Sequence, residues 1–362
     1  MIYPGSKLII FLQCVYFFAG ATNAFAEPLA LYEEEIGEDE GMEFSTIVRD
    51  LRALQESYNP LQKGFHAKIH GCVSGTLTML PDRSPLTREG LFAEEKSYRT
   101  VMRFSNGSAK SAGDSHRDVR GVGIKLFDVE GEKLLATQST AKTQDFLLNN
   151  SPMNFSSEPR EFADFILASA RGASSVLWFL ARHPIFTQRL FATTSTDVPN
   201  LTNARFWSQT PYRLGNKAMK YNIQRCGEAS AGKADPNDGD YLRNDLARYL
   251  TQHAMCWEMG LQLQTDPVKT PIEVSTVEWT EELSPTLPVA RITIPRQDIT
   301  DSEVMAACEA LAFTPWHTTE HHRPLGKVNR ARRPAYAAGQ KTLLQGLDPV
   351  EPTGFPVKIL GE

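Results

Sequence analysis

The chain has 362 residues, with 38 basic and 43 acidic side chains and a formal net charge of −5. A chain this long buries roughly three quarters of its unfolded surface, enough for one large core or two smaller ones. The charge balance, with no basic stripe, argues against nucleic acid or an anionic membrane as partner.

The N-terminal residues read as a targeting segment. Lys7 precedes an apolar run from Leu8 to Ala19 broken only by Gln13, and Ala24-Phe25-Ala26 follows as a small-x-small site. This pattern predicts a secretory signal over residues 1–26, cut after Ala26, and a periplasmic or secreted protein. The run is well short of the ~20 residues that a membrane-spanning helix needs, so no span is expected after cleavage.

Residues 27–60 divide into an acidic stretch, expected to be a solvated arm, and a helix. Glu33-Glu34-Glu35 and Glu38-Asp39-Glu40 carry the charge. From Phe44 to Tyr58, Ile47, Leu51 and Leu54 recur at helical spacing, and Pro60 closes the helix. Strands follow. Val73, Leu77 and Met79 alternate with Ser74, Thr76 and Thr78, a period of two with one buried face. Thr100–Phe104 and Gly121–Val129 read as two further strands, and Leu134–Leu148 holds at least one more. The period turns helical between Pro159 and Phe191, with a break at His183-Pro184. Residues 196–240 read as a Pro/Asn/Gly-rich connection. Tyr241–His253 is helical, Cys256–Gln264 and Val289–Ile294 are strands, and Glu303–Leu311 is a short helix. Pro315–Pro324 is a proline-bracketed loop, and a terminal helix starts near Val328. Strands first, then inserted helices, more strands and final helices make an α+β order rather than an alternating βαβ one.

Four cysteines lie beyond the targeting segment: Cys72, Cys226, Cys256 and Cys308. Secretion permits disulfides, but four cysteines in such a chain do not make a disulfide framework, and the spacing leaves the pairing open. Cys72 and Cys256, in strand-like segments, read as small buried hydrophobes. Cys226, beside Gly227, reads as exposed.

Three local patterns suggest chemistry and are outweighed by their context. Gly121-Val122-Gly123 lacks the third glycine and the following helix of a phosphate cradle, and reads as a strand approached closely by other atoms. His317-Thr318-Thr319-Glu320-His321 matches H-x-x-E-H, whose zinc chemistry needs a helix. Pro315, Pro324 and two threonines disfavour one, which leaves a polar loop with hydrogen-bonded histidines. His66 and His70 lie in an extended segment and need not share a face.

What sets His66 apart is its company. Phe65-His66-Ala67-Lys68, Arg103-Phe104-Ser105-Asn106, Arg117-Asp118-Val119-Arg120-Gly121 and Asn149-Asn150-Ser151-Pro152 occur in this order and at these separations. Together they resemble the distal half of a haem pocket in the catalase superfamily. The C-terminal half is similar to the smaller catalase-related peroxidases. Tyr212–Gly215, Lys220-Tyr221, Pro271-Ile272-Glu273, Trp279, Cys308-Glu309, Phe313, Pro315-Trp316-His317, His322–Gly326 and Asn329–Arg332 carry that likeness. It covers about residues 61 to 340.

The resemblance implies an α+β fold: a catalase-like antiparallel β-barrel with inserted and C-terminal helices. This haem-binding domain spans 61–345 and is followed by a 346–362 tail. The implied cofactor is haem b, with Tyr336 as axial ligand of the iron and Arg332 beside it. Residues i and i+4 share a helix face, and a guanidinium hydrogen bond favours the phenolate that ferric iron needs. Pro334, a residue tolerated only in a helix's first turn, sets the expectation that Arg332 sits at a helix start with a weakened contact to Tyr336. Lys63, Phe65, Arg103, Ser105 and Phe162 are the implied surroundings of the haem, with Lys63 where catalases have an arginine. His66 is the implied acid–base residue and Asn149 the amide that holds the peroxide, with Asn150 as the neighbouring alternative.

The implied function is a haem-dependent peroxidase that reduces hydrogen peroxide or organic hydroperoxides with an unknown reductant, weak catalase activity included, as a monomer or homo-oligomer. One alternative is a fatty-acid hydroperoxide isomerase or dehydratase like the allene oxide synthases, against which Phe65 stands where those enzymes have threonine. Another is a non-catalytic haem-binding protein, for which Pro334 is the best support.

Overall fold

The computed structural model describes residues 29–58, 63–108, 111–194, 198–230, 235, 237–346 and 352–360. The secretory signal over 1–26 lies outside the described residues.

Helix α1 (Glu40–Glu56) precedes strands β1 (Ile69–Met79), β2 (Ser97–Asn106), β3 (Arg120–Phe127) and β4 (Thr143–Asn149). Helices α2 (Pro159–Arg171), α3 (Ala173–Arg182) and α4 (Pro184–Thr194) come next. Gly172, at φ 116, supplies the left-handed residue that separates α2 from α3. Then follow β5 (Phe206–Trp207), β6 (Tyr212–Leu214), β7 (Lys217–Arg225), α5 (Tyr241–Gln252), β8 (Met255–Leu263) and β9 (Leu287–Ile294). The chain continues with β10 (Gln297–Asp298), α6 (Ser302–Ala310), α7 (Lys327–Leu343) and β11 (Lys358–Ile359). Part of the expected tail is thus ordered, because β11 pairs with β10.

Eight strands close a barrel in the order β1-β2-β3-β4-β5-β7-β8-β9, each neighbour antiparallel, with β6 added beside β7. Closure leaves no unpaired edge in the ring. The expected α+β barrel is therefore present. Strand alternation sends Val73 and Leu77 of β1, Met102 and Phe104 of β2, and Val122, Ile124 and Leu126 of β3 into one buried cluster inside the barrel. Residues 196–240 are not a mere connection: they contain β5, β6 and β7. Met219, Tyr221 and Ile223 of β7 join the interior cluster, while Lys220 and Asn222 alternate with them and Lys217 opens the strand.

The outer face of β2, β3 and β4 is covered by other elements. On it lies a buried ion pair, Lys125 Nζ to Asp145 Oδ1 at 2.6 Å. Asp145 Oδ2 also accepts the Thr314 amide at 3.0 Å, which lashes the 311–318 loop to the barrel. That loop is not helical. Its His317 is buried against Thr143 Oγ1 at 2.6 Å, and His322 Nε2 accepts the Leu91 amide at 2.8 Å. Among the described residues no cluster of ligands could hold a metal ion. His317 of the H-x-x-E-H pattern is thus hydrogen-bonded as expected, whereas His321 is exposed.

Cys72 of β1 and Cys308 of α6 pair with Cα atoms 5.6 Å apart, and both are fully buried. This pair pins α6 to the barrel. Cys256 pairs with Cys226 at a Cα separation of 5.5 Å. Cys256 is therefore no buried hydrophobe: at the outer edge of β8 it is half-buried, and so is Cys226.

The acidic arm is exposed at Glu33, Glu35, Glu38 and Asp39, but it is anchored at Glu34 and Glu40. The Arg330 guanidinium meets Glu34 Oε1 at 2.8 Å, Glu40 Oε1 at 2.6 Å and Glu273 Oε1 at 3.0 Å. Glu34 Oε1 also accepts the Gly326 amide, and Tyr32 N donates to Gln264. Three carboxylates gathered on one nearly buried cation repel one another once it is removed. Arg330→Ala is expected to cost about 3–5 kcal/mol in urea unfolding and to open the arm to limited proteolysis.

Candidate active site

Register places a row of three residues on the outer face of the barrel. Ser105 of β2 pairs with Gly121 of β3, and Gly121 pairs with Asn149 of β4. Gly121 leaves a gap in that row, which the His66 ring fills. A methyl group on Gly121 would come within 2.5 Å of His66 Cε1 and 3.2 Å of Asn149 Oδ1, inside any tolerable contact. The close approach expected at this glycine is thus explained, and Gly123 is covered in the same way by the Phe313 ring.

His66 is held from several directions. Its Nδ1 lies 3.0 Å from Ser105 Oγ. Its amide donates to Gly107 O at 3.1 Å, and its carbonyl accepts Arg103 Nη2 at 3.0 Å. The residue sits at φ 55, in the left-handed region that a histidine enters only when its surroundings enforce it. Burial first, then the cations Arg103, Arg332 and Lys63, push the imidazole down to about 4. The ring is therefore neutral near pH 7 and able to accept a proton. His70, by contrast, bonds Asn106 Oδ1 at 2.8 Å and is no partner of His66.

The doubled asparagine resolves geometrically. Asn149 faces the His66 side of Gly121 and donates Nδ2 to Gln209 Oε1 at 2.8 Å. Asn150 Oδ1 instead accepts the Arg120 amide at 2.7 Å, which ties it to the backbone of β3. Gln209 is a site residue that sequence reasoning missed. It too has a positive φ, 59, and its Nε2 donates to Met153 O at 2.8 Å. A glutamine in a segment read as a connection carries no signal of such a role.

Lys63 lies on the same side. Its ammonium donates to the carbonyls of Glu309 at 2.7 Å and Leu311 at 3.1 Å, at the end of α6. Burial and Arg103 lower it to about 7, against the opposing pull of Glu309. Phe65 and Phe162 pack with ring centroids 5.8 Å apart, beside His66.

The last expected pair is formed. Arg332 Nη2 donates to the Tyr336 hydroxyl at 3.0 Å. Pro334 does not start the helix: α7 begins at Lys327, and Pro334 lies inside it. Its missing N–H leaves the Arg330 carbonyl without a helical donor, yet α7 continues because contacts on both sides anchor it. Asn329 is fully buried and accepts Arg332 Nη1 at 3.2 Å. Beyond the proline, Gln55 Nε2 reaches Gly339 O at 3.4 Å and Gln340 Nε2 reaches Phe313 O at 3.3 Å. The expectation that Pro334 weakens the Arg332–Tyr336 contact is corrected. Burial disfavours the Arg332 charge, but the oxygens of Tyr336 and Tyr212 outweigh it and hold the guanidinium protonated.

The set suits a haem. Arg103 Nε is buried and unpartnered among the described residues, a donor suited to an anionic group such as a carboxylate. Arg332 beside Tyr336 suits a phenolate ligand of a ferric ion. A neutral imidazole and a carboxamide share one small patch of the barrel.

His66, His317 and His322 are pushed down to about 4, 3 and 4, chiefly by burial. Unfolding returns each to about 6.5, so the unfolded chain binds more protons between about pH 6.5 and pH 4. Stability therefore rises with pH across that window and is lost as the pH falls. The expected slope is about 1.4 kcal/mol per pH unit for each histidine, to be read from urea unfolding at a series of pH values.

Comparison with known proteins gives one consistent answer. Residues 59–186 match the family model described as Catalase. The chain is 24% identical over 287 residues to the catalase of the Onchocerca volvulus endobacterium, covering 70% of this chain and 55% of that one. It is 23% identical over 287 residues to catalase A of Pseudomonas putida, covering 70% and 56%. The fold superposes on catalase A from Saccharomyces cerevisiae with a TM-score of 0.63 at 21% identity, over 78% of this chain and 61% of that one. A fungal catalase gives 0.62 at 20% identity, over 78% and 59%. The chain spans about half the length of the curated relatives it matches.

Proposed function

We propose that the chain, whose residues 59–186 match the Catalase family model, is a member of the catalase superfamily and a haem b-dependent peroxidase that reduces hydrogen peroxide or an organic hydroperoxide. The observation that carries the reading is the convergence of a neutral His66 and Asn149 on Gly121. A bound haem would supply an iron centre able to give electrons to a peroxide O–O bond, electrons that an external reductant would then restore. Tyr336 is the residue suited to ligate it, and Arg332 the group that donates a hydrogen bond to that oxygen. Arg103 is the cation with a free donor for its carboxylates, Lys63 being engaged by the Glu309 and Leu311 carbonyls, and Phe65 and Phe162 offer apolar contact.

His66 does the proton work in this reading. Ser105 engages Nδ1, which assigns the exchange to Nε2. The imidazole takes the proton from the peroxide and returns it to the departing oxygen, as base and then acid. Asn149, oriented by Gln209, holds the peroxide by hydrogen bonds. Low basicity suits the second half of this cycle, because a weakly held proton is readily given back. We place the protein in the periplasm or outside the cell. Two cysteine pairs with Cα atoms 5.6 and 5.5 Å apart support an oxidising compartment. Among the described residues no helix is long and apolar enough to cross a membrane.

Haem reconstitution followed by absorption spectroscopy tests the cofactor. Stoichiometric uptake is expected, with Tyr336→Phe altering the charge-transfer region, and a wild type that binds no haem refutes the proposal. With haem bound, His66→Ala is expected to lower peroxide turnover by about 10²–10⁴-fold with little change in the haem content. Gly121→Ala is expected to act in the same direction by displacing the His66 ring, and a variant with unchanged turnover would remove the role given to that contact.

A further inference from the structure

Helices α3 and α4 present an outer surface that water does not favour. Residues Ala173, Ser174, Leu177, Trp178 and Ala181 form one exposed stripe at helical spacing. Pro184, Ile185, Gln188, Phe191 and Ala192 form the next. Leu177 is 69% exposed, Trp178 63%, Ile185 63% and Phe191 49%. The opposite sides of the same helices hold Phe179 and Phe186 in a buried cluster, so this hairpin is apolar on both faces. Single exposed apolar residues need no explanation, but two adjacent helices that repeat the pattern mark a contact surface.

Charge identifies what it contacts. Residues 171–194 contain Arg171, Arg182 and Arg189 and not one Asp or Glu, within a chain of formal net charge −5. The Arg182 guanidinium lies 4.6 Å from the Trp178 ring centroid, an aromatic and a cation placed as at a headgroup boundary. A second copy of this face would set arginines against arginines. The acidic arm of another copy offers Glu33, Glu35, Glu38 and Asp39, which are exposed, but it carries no broad apolar face to cover Leu177, Trp178, Ile185 and Phe191. We propose that α3 and α4 form a docking surface for an anionic lipid membrane, a local exception to what the whole-chain charge suggests.

The surface connects to the site through aromatic rings. Phe65, next to His66, packs on Phe162, Phe162 stacks on Phe155 at 5.4 Å, and Phe155 meets Phe186 of α4 at 5.3 Å. Docking there would bring acyl chains to the flank of the molecule that holds His66. That consequence rests on the peroxide reading above; the docking itself does not.

Co-sedimentation with vesicles tests the proposal, using phosphatidylcholine with and without phosphatidylglycerol and the full chain. The wild type is expected to bind the phosphatidylglycerol vesicles more tightly, and less so as salt is raised. The double variant Leu177→Ser/Trp178→Ser is expected to bind at least about tenfold more weakly. Arg182→Glu, a single exposed change that keeps the fold if the double variant does not, is expected to weaken binding about fivefold or more. Equal affinity of wild type and Arg182→Glu, or no preference for phosphatidylglycerol, overturns the proposal. So does a wild-type oligomer, seen by size-exclusion chromatography without lipid, that Leu177→Ser/Trp178→Ser dissociates, because a second copy then covers the face. Vesicle binding is read without haem or peroxide, so its failure is independent of any failure of the peroxidase reading.

Discussion

Contact between the His66 ring and the bare backbone of Gly121 organises the site. Only a residue without a side chain lets an imidazole lie on the outer face of a strand at that point. The same strand register sets Ser105 on one side and Asn149 on the other, so three adjacent strands deliver an orienting hydroxyl, a floor and a carboxamide. Strand pairing fixes these three more rigidly than any loop could, and the strained backbone of His66 is held against that frame by Arg103 and Gly107.

Electrostatics then decides what the histidine can do. Burial alone disfavours a charged imidazole, and Arg103, Arg332 and Lys63 add to the effect. The protein has gathered cations around a base, which is destabilising for a protonated ring and useful for a neutral one. The cost is carried by supports outside the pocket. The Cys72–Cys308 link holds α6, whose terminal carbonyls hold Lys63. The acidic arm holds Arg330 at the start of α7, and buried Asn329 steadies Arg332 two residues from Pro334. Helix α7 thus tolerates an interior proline because it is fastened on either side of it.

Much of the barrel was legible in the chain. The strands β1 to β4, β8 and β9 announce themselves by alternation, and the helices by their longer period. β7 was missed because its outward positions include Lys220 and Asn222, within a segment rich in proline, asparagine and glycine, which masked an inward face of Met219, Tyr221 and Ile223. The anchoring of the arm was not legible, because nothing local distinguishes Glu34 and Glu40, which an arginine nearly three hundred residues away gathers, from their four exposed acidic neighbours. His66, Ser105, Asn149, Arg332 and Tyr336 could be proposed only as a series of motifs in order, since each alone is an ordinary residue. Gln209 left no trace, because a polar side chain in a turn has no period and no typical neighbours.

By itself the sequence determined the α+β class and the order of strands and helices, which follow from periodicity, a local property. A haem and a proton-transfer residue entered only as what the resemblance of its ordered motifs implies. The tertiary structure decided which of two asparagines faces the histidine, which cysteines pair, that the Arg332–Tyr336 contact survives Pro334, and that α3 and α4 expose an apolar, arginine-flanked surface. Each of these depends on which strand lies beside which and on what covers a helix face, and those relations join residues far apart in the chain.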